Sequence, residues 1–366
     1  MSGKKHVLKG ISGEFRGCEL SAVIGPSGCG KSSLLNILSG FVRSNVYGSI
    51  KLNGKERNDD SFRKQSTFIM QEENLHSLLT IRESMTFAVK LKTGKSLNND
   101  QQAAKIISIL KTLNLVNHLS TLAGKLSGGQ RKRLSIALEL VNDPSIIFLD
   151  EPTTGLDSLS STQCIQLLKK LAEEGRTIIC TIHSPSALLL KLFDNIYAMA
   201  DGNCIYQGSS QNLVSFLSSL DLVCPETFNP ADFLLEIATN DYGPQNPRLT
   251  NAIRNGKNEN YRNSEKIFEG ELPQEIIDCN HRTSSFFHQF NQLMLRNFLI
   301  LKKDSSLVIL RFAVSVLVGL LVGLLYSGKG NDADQIFTVL KYIFVSIFFL
   351  MYISYYSLQT ACECLV

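Results

Sequence analysis

Residues 25–33 read GPSGCGKSS. Gly25, Gly30, Lys31 and Ser32 fall at the spacing G-x-x-x-x-G-K-[ST], after the strand-like ELSAVI and before the helical SSLLNILSGF. That is the composition of a phosphate cradle. Glycines let the chain from Gly25 through Pro26, Ser27, Gly28, Cys29 and Gly30 curl until its N–H groups face phosphate oxygens, and the helix opening at Lys31, Ser32 and Ser33 adds its dipole. Lys31 would reach the outer phosphates and Ser32 would supply an oxygen to Mg2+.

A second segment, PSIIFLDEP, places four apolar residues before Asp150 and Glu151. A buried strand here would deliver both carboxylates to the C-terminal edge of a sheet, where open α/β folds collect their ligands. Asp150 would hold Mg2+ through its water shell, and Glu151 would orient and deprotonate an attacking water. A third segment, KLSGGQRKRLSIALEL, sets two glycines before another helical stretch. It reads as a second anion-binding helix start, and one phosphate loop is already present.

Such residues need a sheet to carry them. Short apolar runs at Leu20–Ile24, Thr67–Met70, Ile146–Leu149 and Thr177–Ile182 are rich in β-branched residues and alternate with helical stretches, which predicts a mainly parallel α/β sheet. Residues 80–142 run helical and predict an inserted subdomain, with Ala104, Ile107, Ile109 and Leu110 near one stripe. Residues 241–284 are polar, rich in Asn and without clear period, and read as a linker after a head domain of residues 1–240.

At 366 residues the chain suggests two or three domains. A net charge of +4 gives no basic face of the kind a nucleic-acid partner would need. Nine scattered cysteines without paired metal spacing fit a reduced, cytosolic head, and the N-terminal MSGKKHVLKG lacks the apolar core of a signal peptide. Cys29 lies near a helix start that favours thiolate, and the plainer expectation is a small loop residue.

The C-terminal part differs in character. In FFHQFNQLMLRNFLILKK, apolar Phe287, Phe290, Met294, Phe298 and Leu301 recur at helical steps, as on an interfacial helix over 285–304 or a soluble one packed on the head. Residues 305–326 are almost wholly apolar and would span about 33 Å as a helix, with Arg311 near the start able to reach the headgroups. Residues 336–358 form a second apolar stretch, so residues 305–366 read as a partial transmembrane domain with two spans. Arg296, Lys302, Lys303 and Arg311 on the N-terminal side place the head in the cytosol. Gly319 and Gly323 form a G-x-x-x-G, which suits either a dimer seam or packing within one subunit.

Taken in order, GPSGCGKSS, LSGGQ, LDEPTTGLDS and TIHSPS resemble an ATP-binding cassette. The resemblance implies that Gln71 in FIMQEEN touches Mg2+ and senses a transport domain, that Asp157 faces a partner domain, and that His183 contacts the γ-phosphate. It also implies that Leu126, Ser127, Gly128, Gly129 and Gln130 cap an ATP held by a second cassette. With one of each motif, the chain resembles a half-molecule. Its head-first order, together with NPADFLLEIATNDYG at 229–243, is similar to subfamily G, the white-type and sterol-type half-transporters. The implied function is an ATPase subunit that uses ATP and Mg2+, pairs with a second subfamily G half-transporter in a lipid bilayer, and exports a lipid or sterol-like substrate. Against the family pattern, both ends read as shortened. Only two of six spans are present, and no aromatic residue precedes HVLKG to stack on adenine, His6 being a poor substitute. A truncated, membrane-anchored form that pairs with or inhibits full-length subunits is the alternative expectation.

Overall fold

The computed structural model describes residues 6–94, 97–263, 285–326, 337, 340–349 and 351–352. It divides into two units, Met1–Ser284 and Ser285–Val366.

The first unit opens with β1 (Leu20–Ile24), α1 (Lys31–Leu38), the short strands β2 (Lys51–Leu52) and β3 (Lys55–Glu56), α2 (Asp59–Gln65) and β4 (Ser66–Ile69). Helices α3 (Ile81–Thr93), α4 (Asn99–Thr112) and α5 (Gly128–Leu140) follow, then β5 (Ile146–Leu149), α6 (Ser158–Glu173), β6 (Thr177–Thr181) and α7 (Ala187–Leu190). The unit continues through β7 (Asn195–Ala200), β8 (Asn203–Gly208), α8 (Leu213–Ser218), α9 (Pro230–Ala238) and α10 (Asn246–Ala252).

Six strands form one sheet in the order β4-β5-β6-β1-β7-β8, parallel except for the last pair. Strands β1 and β7 are buried at every residue, as the continuous runs LSAVI and NIYAMA require of strands covered on both faces. The four parallel strands expected from sequence all form. The β7–β8 hairpin was not among them, although its turn signal is explicit: Asp201 (φ 48) and Gly202 (φ 77) make the two-residue left-handed loop that an Asp-Gly pair favours.

Helices α3 to α5 lie within the expected 80–142 window. Each starts with a reciprocal capping box, built by Thr80 and Glu83, by Asn98 and Gln101, and by Ser127 and Gln130. The buried stripe of α4 differs from the expectation. Gln102, Ile106 and Leu110 face inward, whereas Ile107 and Ala104 are exposed. An i, i+4 step through a glutamine aligns this face, and an apolar-only count passes over it.

Residues 246–262, expected to be linker, are folded onto the head. Leu249 and Ile253 are fully buried. The Asn255 side chain accepts from Cys204 N–H at 2.7 Å and donates to the carbonyls of Lys9 and Gly10. Arg262 pairs with Glu19 at 2.5 Å, with side chains only 3% and 10% exposed. Here the asparagines serve side-chain-to-backbone bonds, so the segment packs without hydrophobic periodicity. Residues 264–284 lie outside the described residues.

The second unit contains α11 (Phe286–Lys303) and α12 (Ser305–Tyr326). Phe287, Phe290, Met294, Phe298 and Leu301 are exposed on α11, and α12 presents exposed Phe312, Leu317, Leu320 and Leu324. Among the described residues, no helix is long and apolar enough to cross a membrane. The expected spans 305–326 and 336–358 fall partly outside those residues, including the side chains at 305–308, 310 and 311.

Candidate nucleotide site

The sheet topology gathers the chemistry. The phosphate loop leaves β1, Gln71 follows β4, Asp150 and Glu151 follow β5, and His183 follows β6, so these four parallel strands deliver their residues at the same C-terminal edge.

Gly25 takes φ 155, and a Cβ there would stand 2.3 Å from the Met199 carbonyl oxygen. Gly30, at φ 108, caps the N-terminus of α1. Only glycine meets both demands without strain. The Lys31 ammonium, 7% exposed, donates to the Gly25 carbonyl at 2.8 Å and to that of Pro26 at 3.1 Å. The loop's own carbonyls thus hold the cation against the turn that would receive phosphate. Val7 and Leu8 also approach Gly30, and Val7 remains half exposed beside the loop. Cys29 is 4% exposed, and burial pushes its thiol up despite the nearby Lys31. It is a packed loop residue whose burial favours the thiol over the thiolate.

Opposite the loop, Ser32 Oγ donates to Asp150 Oδ1 at 3.3 Å, and Thr181 Oγ1 donates to the same oxygen at 2.6 Å. Thr181 also accepts the Glu151 N–H at 2.8 Å, which holds Glu151 in the left-handed region at φ 45. Gln71 Nε2 and Thr154 Oγ1 both donate to Glu151 Oε2, at 3.0 and 2.8 Å. His183 Nε2 lies 3.2 Å from Ser27 Oγ, and its other ring nitrogen is 3.3 Å from Ser184 Oγ. Asn229, the N-cap of α9, donates to the Pro185 carbonyl at 2.8 Å and so braces the turn after His183.

Ser27, Lys31, Ser32, Gln71, Asp150, Glu151 and His183 therefore form one cluster. Residues 126–130 stand apart from it. Ser127 and Gln130 bind one another and Gln130 reaches His118 at 3.2 Å; among the described residues their hydrogen bonds do not extend to the phosphate loop. A Cβ at Gly128 would meet Leu156 at 3.2 Å, and one at Gly129 would meet Ser160 at 3.1 Å. The glycines thus let this helix start lie against the loop before α6, which Asp157 caps through the Ser160 N–H. The Ser160 hydroxyl and amide hold the Asp157 carboxyl below its usual range.

Two residues that the sequence reading did not single out are Thr181 and Lys132. Thr181 opens the segment TIHSPS, and it is fully buried beside both carboxylates. Lys132, 3% exposed, donates from α5 to the carbonyls of Met70 and Gln71, both at 3.1 Å. Burial lowers its pKa, with Glu73 opposing that shift.

The cluster offers a cation and a helix N-terminus for phosphate, and a hydroxyl and a carboxylate for a hard metal ion. Among the described residues, no group of three or more His, Cys, Asp or Glu could hold a metal unaided. An ion such as Mg2+, which keeps several waters and takes substrate phosphate oxygens, needs only one or two carboxylates, so the donor set fits it.

A family model described as ABC transporter matches residues 8–154, and two described as ABC-2 type transporter match 183–247 and 288–363. The chain belongs to the ABC transporter family. The curated relatives that it matches include ABC transporters of the G family. The broad substrate specificity ATP-binding cassette transporter ABCG2 of Rattus norvegicus is 32% identical, covering 90% of this chain and 55% of that protein. Protein white of Drosophila melanogaster is 31% identical, covering 89% and 50%. ABC transporter G family member 26 of Arabidopsis thaliana is 39% identical, covering 65% and 35%. The chain spans about half the length, or less, of these relatives. Among solved ABC structures, a bacterial transporter cassette solved as a dimer is 29% identical, with a TM-score of 0.50 over 57% of this chain and 94% of that one. A second cassette, 23% identical with a TM-score of 0.52, shares the fold over 61% of this chain and 94% of that one.

Proposed function

We propose that this chain binds and hydrolyses ATP with Mg2+ as one subunit of a dimeric G-type transporter, with a lipid or sterol-like cargo. The observation that carries this reading is the convergence of Lys31, Ser32, Gln71, Asp150, Glu151 and His183 on one sheet edge.

Lys31, with the N–H groups at the start of α1, binds the nucleotide phosphates. Ser32, Asp150 and Gln71 hold Mg2+, which when bound offsets charge on the phosphate oxygens. Glu151 is the base that orients and deprotonates water. Gln71 and Thr154 both bind Oε2, which fixes the rotation of the carboxylate and leaves Oε1 to accept from that water. His183, braced by Asn229 through the following turn, faces the γ-phosphate beside Ser27. Residues 126–130 serve a partner's nucleotide, because their capping box satisfies Gln130 N–H internally while the Ser127 hydroxyl proton stays available for an outside acceptor. Asp157 lies in the loop that meets the partner.

Support for the membrane half comes from the ABC-2 type match over 288–363 and from the exposed apolar residues of α11 and α12. The lipid-like cargo rests on the resemblance of residues 229–243 to the sterol branch. The head lies in the cytosol and the C-terminal part is multi-pass.

Glu151→Gln retains the shape of the side chain and removes the base. It is expected to keep ATP binding and lower turnover by about a hundredfold or more, the worth of general base catalysis. Unchanged hydrolysis would refute the assignment.

A further inference from the structure

Lys132 is a charged residue of the site region that the mechanism above leaves unused. A buried ammonium is costly to maintain, and packing alone would be met by Leu or Met at that position on α5. Lys132 instead spends two of its three donors on consecutive carbonyls, Met70 and Gln71, and Glu73 is the carboxylate that most favours its charge. Arg131, next to it, lies 3.6 Å from the same Glu73. Cys164 on α6 and Asp150, in the site itself, also act on Lys132.

The two ends of this tie are what matter. Lys132 lies one helical turn from Gly128, the first residue of α5, so the ammonium is rigidly joined to the capping box of residues 127–130. Gln71, whose carbonyl it holds, donates its side chain to Glu151 at 3.0 Å. A continuous path of hydrogen bonds and helix thus runs from residues 126–130, the signature loop at the start of α5, to the carboxylate of this chain's own site.

We propose that Lys132 is a positioning residue that locks Gln71 to the signature helix, so that a partner's nucleotide seated on residues 127–130 is sensed at Glu151 of this chain. The proposal rests on the dimeric ATP reading above and adds a coupling between its two sites.

The test is ATP hydrolysis by the full chain in lipid vesicles, measured against ATP concentration. Lys132→Met keeps the apolar stem and removes the donors. It is expected to lower kcat about tenfold, to shift KM for ATP by less than about twofold, and to flatten the cooperative ATP dependence. Lys132→Arg should restore part of the steepness, because it returns donors and charge. Glu73→Gln, a milder change at the same cluster, should flatten the curve less. A Lys132→Met chain with wild-type kcat and steepness would overturn the proposal. If that variant does not fold, Glu73→Gln decides: wild-type kcat and steepness overturn it, and a flattened curve at unchanged KM supports it. Hydrolysis without cooperativity in the unmodified chain would instead refute the two-site reading beneath it.

Discussion

At the scale of single residues, the site depends as much on a buried hydroxyl as on its charges. Thr181 donates to Asp150 and accepts from the Glu151 N–H, so Thr181→Val would leave each short of one partner in a part-buried setting. The expected cost is roughly 1–3 kcal/mol of stability, read by denaturant unfolding, together with a fall in ATP turnover. Cys29 makes the opposite point. Its thiol is buried and pushed up, so at neutral pH it should resist alkylation, with or without nucleotide, and rapid labelling in mass spectrometry would contradict the packing. The phosphate loop, Asp150, Glu151 and His183 were legible in sequence because their chemistry demands particular residue types in a short run. Thr181 and Lys132 were not. Each earns its role from groups that lie 30 or more positions away, and no local pattern records a tertiary partner.

At the scale of elements, helix starts explain more than propensity does. Residues 127–130 read first as a phosphate-binding motif, yet S-x-x-Q is also a capping box, and the structure uses it as one. The same device at Thr80 and Asn98 fixes where the inserted helices begin. Misplacing the α4 stripe and passing over the β7–β8 hairpin have a common cause: faces and pairings are chosen by neighbours, and Gln102 is buried while Ile107 is not. Asp157 gives α6 its cap, and its lowered folded pKa fixes the sign of the pH effect. A carboxylate whose folded pKa lies below its unfolded value stabilises above the unfolded value and loses that contribution as pH falls through the folded one. Thermal melts should therefore show the unmodified chain ahead of Asp157→Asn at neutral pH, with the gap closing below about the ordinary aspartate value of 3.8. A pH-independent gap would contradict the hydrogen bonds that produce the shift.

At the scale of the whole molecule, a head with one complete phosphate cradle is joined in sequence to a strongly apolar C-terminal unit. The head was readable as α/β from four short apolar runs. The folding of residues 246–262 back onto it was not, because an Asn-rich segment that serves backbone groups looks the same in sequence as one that serves water. The signature loop has a genetic consequence, since its hydrogen bonds do not reach its own phosphate loop. On the dimeric reading, damage at Glu151 silences the subunit that carries it, whereas damage at Gly129 silences its neighbour. Homodimers of Glu151→Gln or of Gly129→Asp should both be inactive. A mixed dimer concentrates both lesions in one site and leaves the other with its own cradle, its Glu151 and an intact partner loop, so co-expression should recover hydrolysis in the mixed fraction that neither homodimer shows. Two null alleles of this gene would then complement each other.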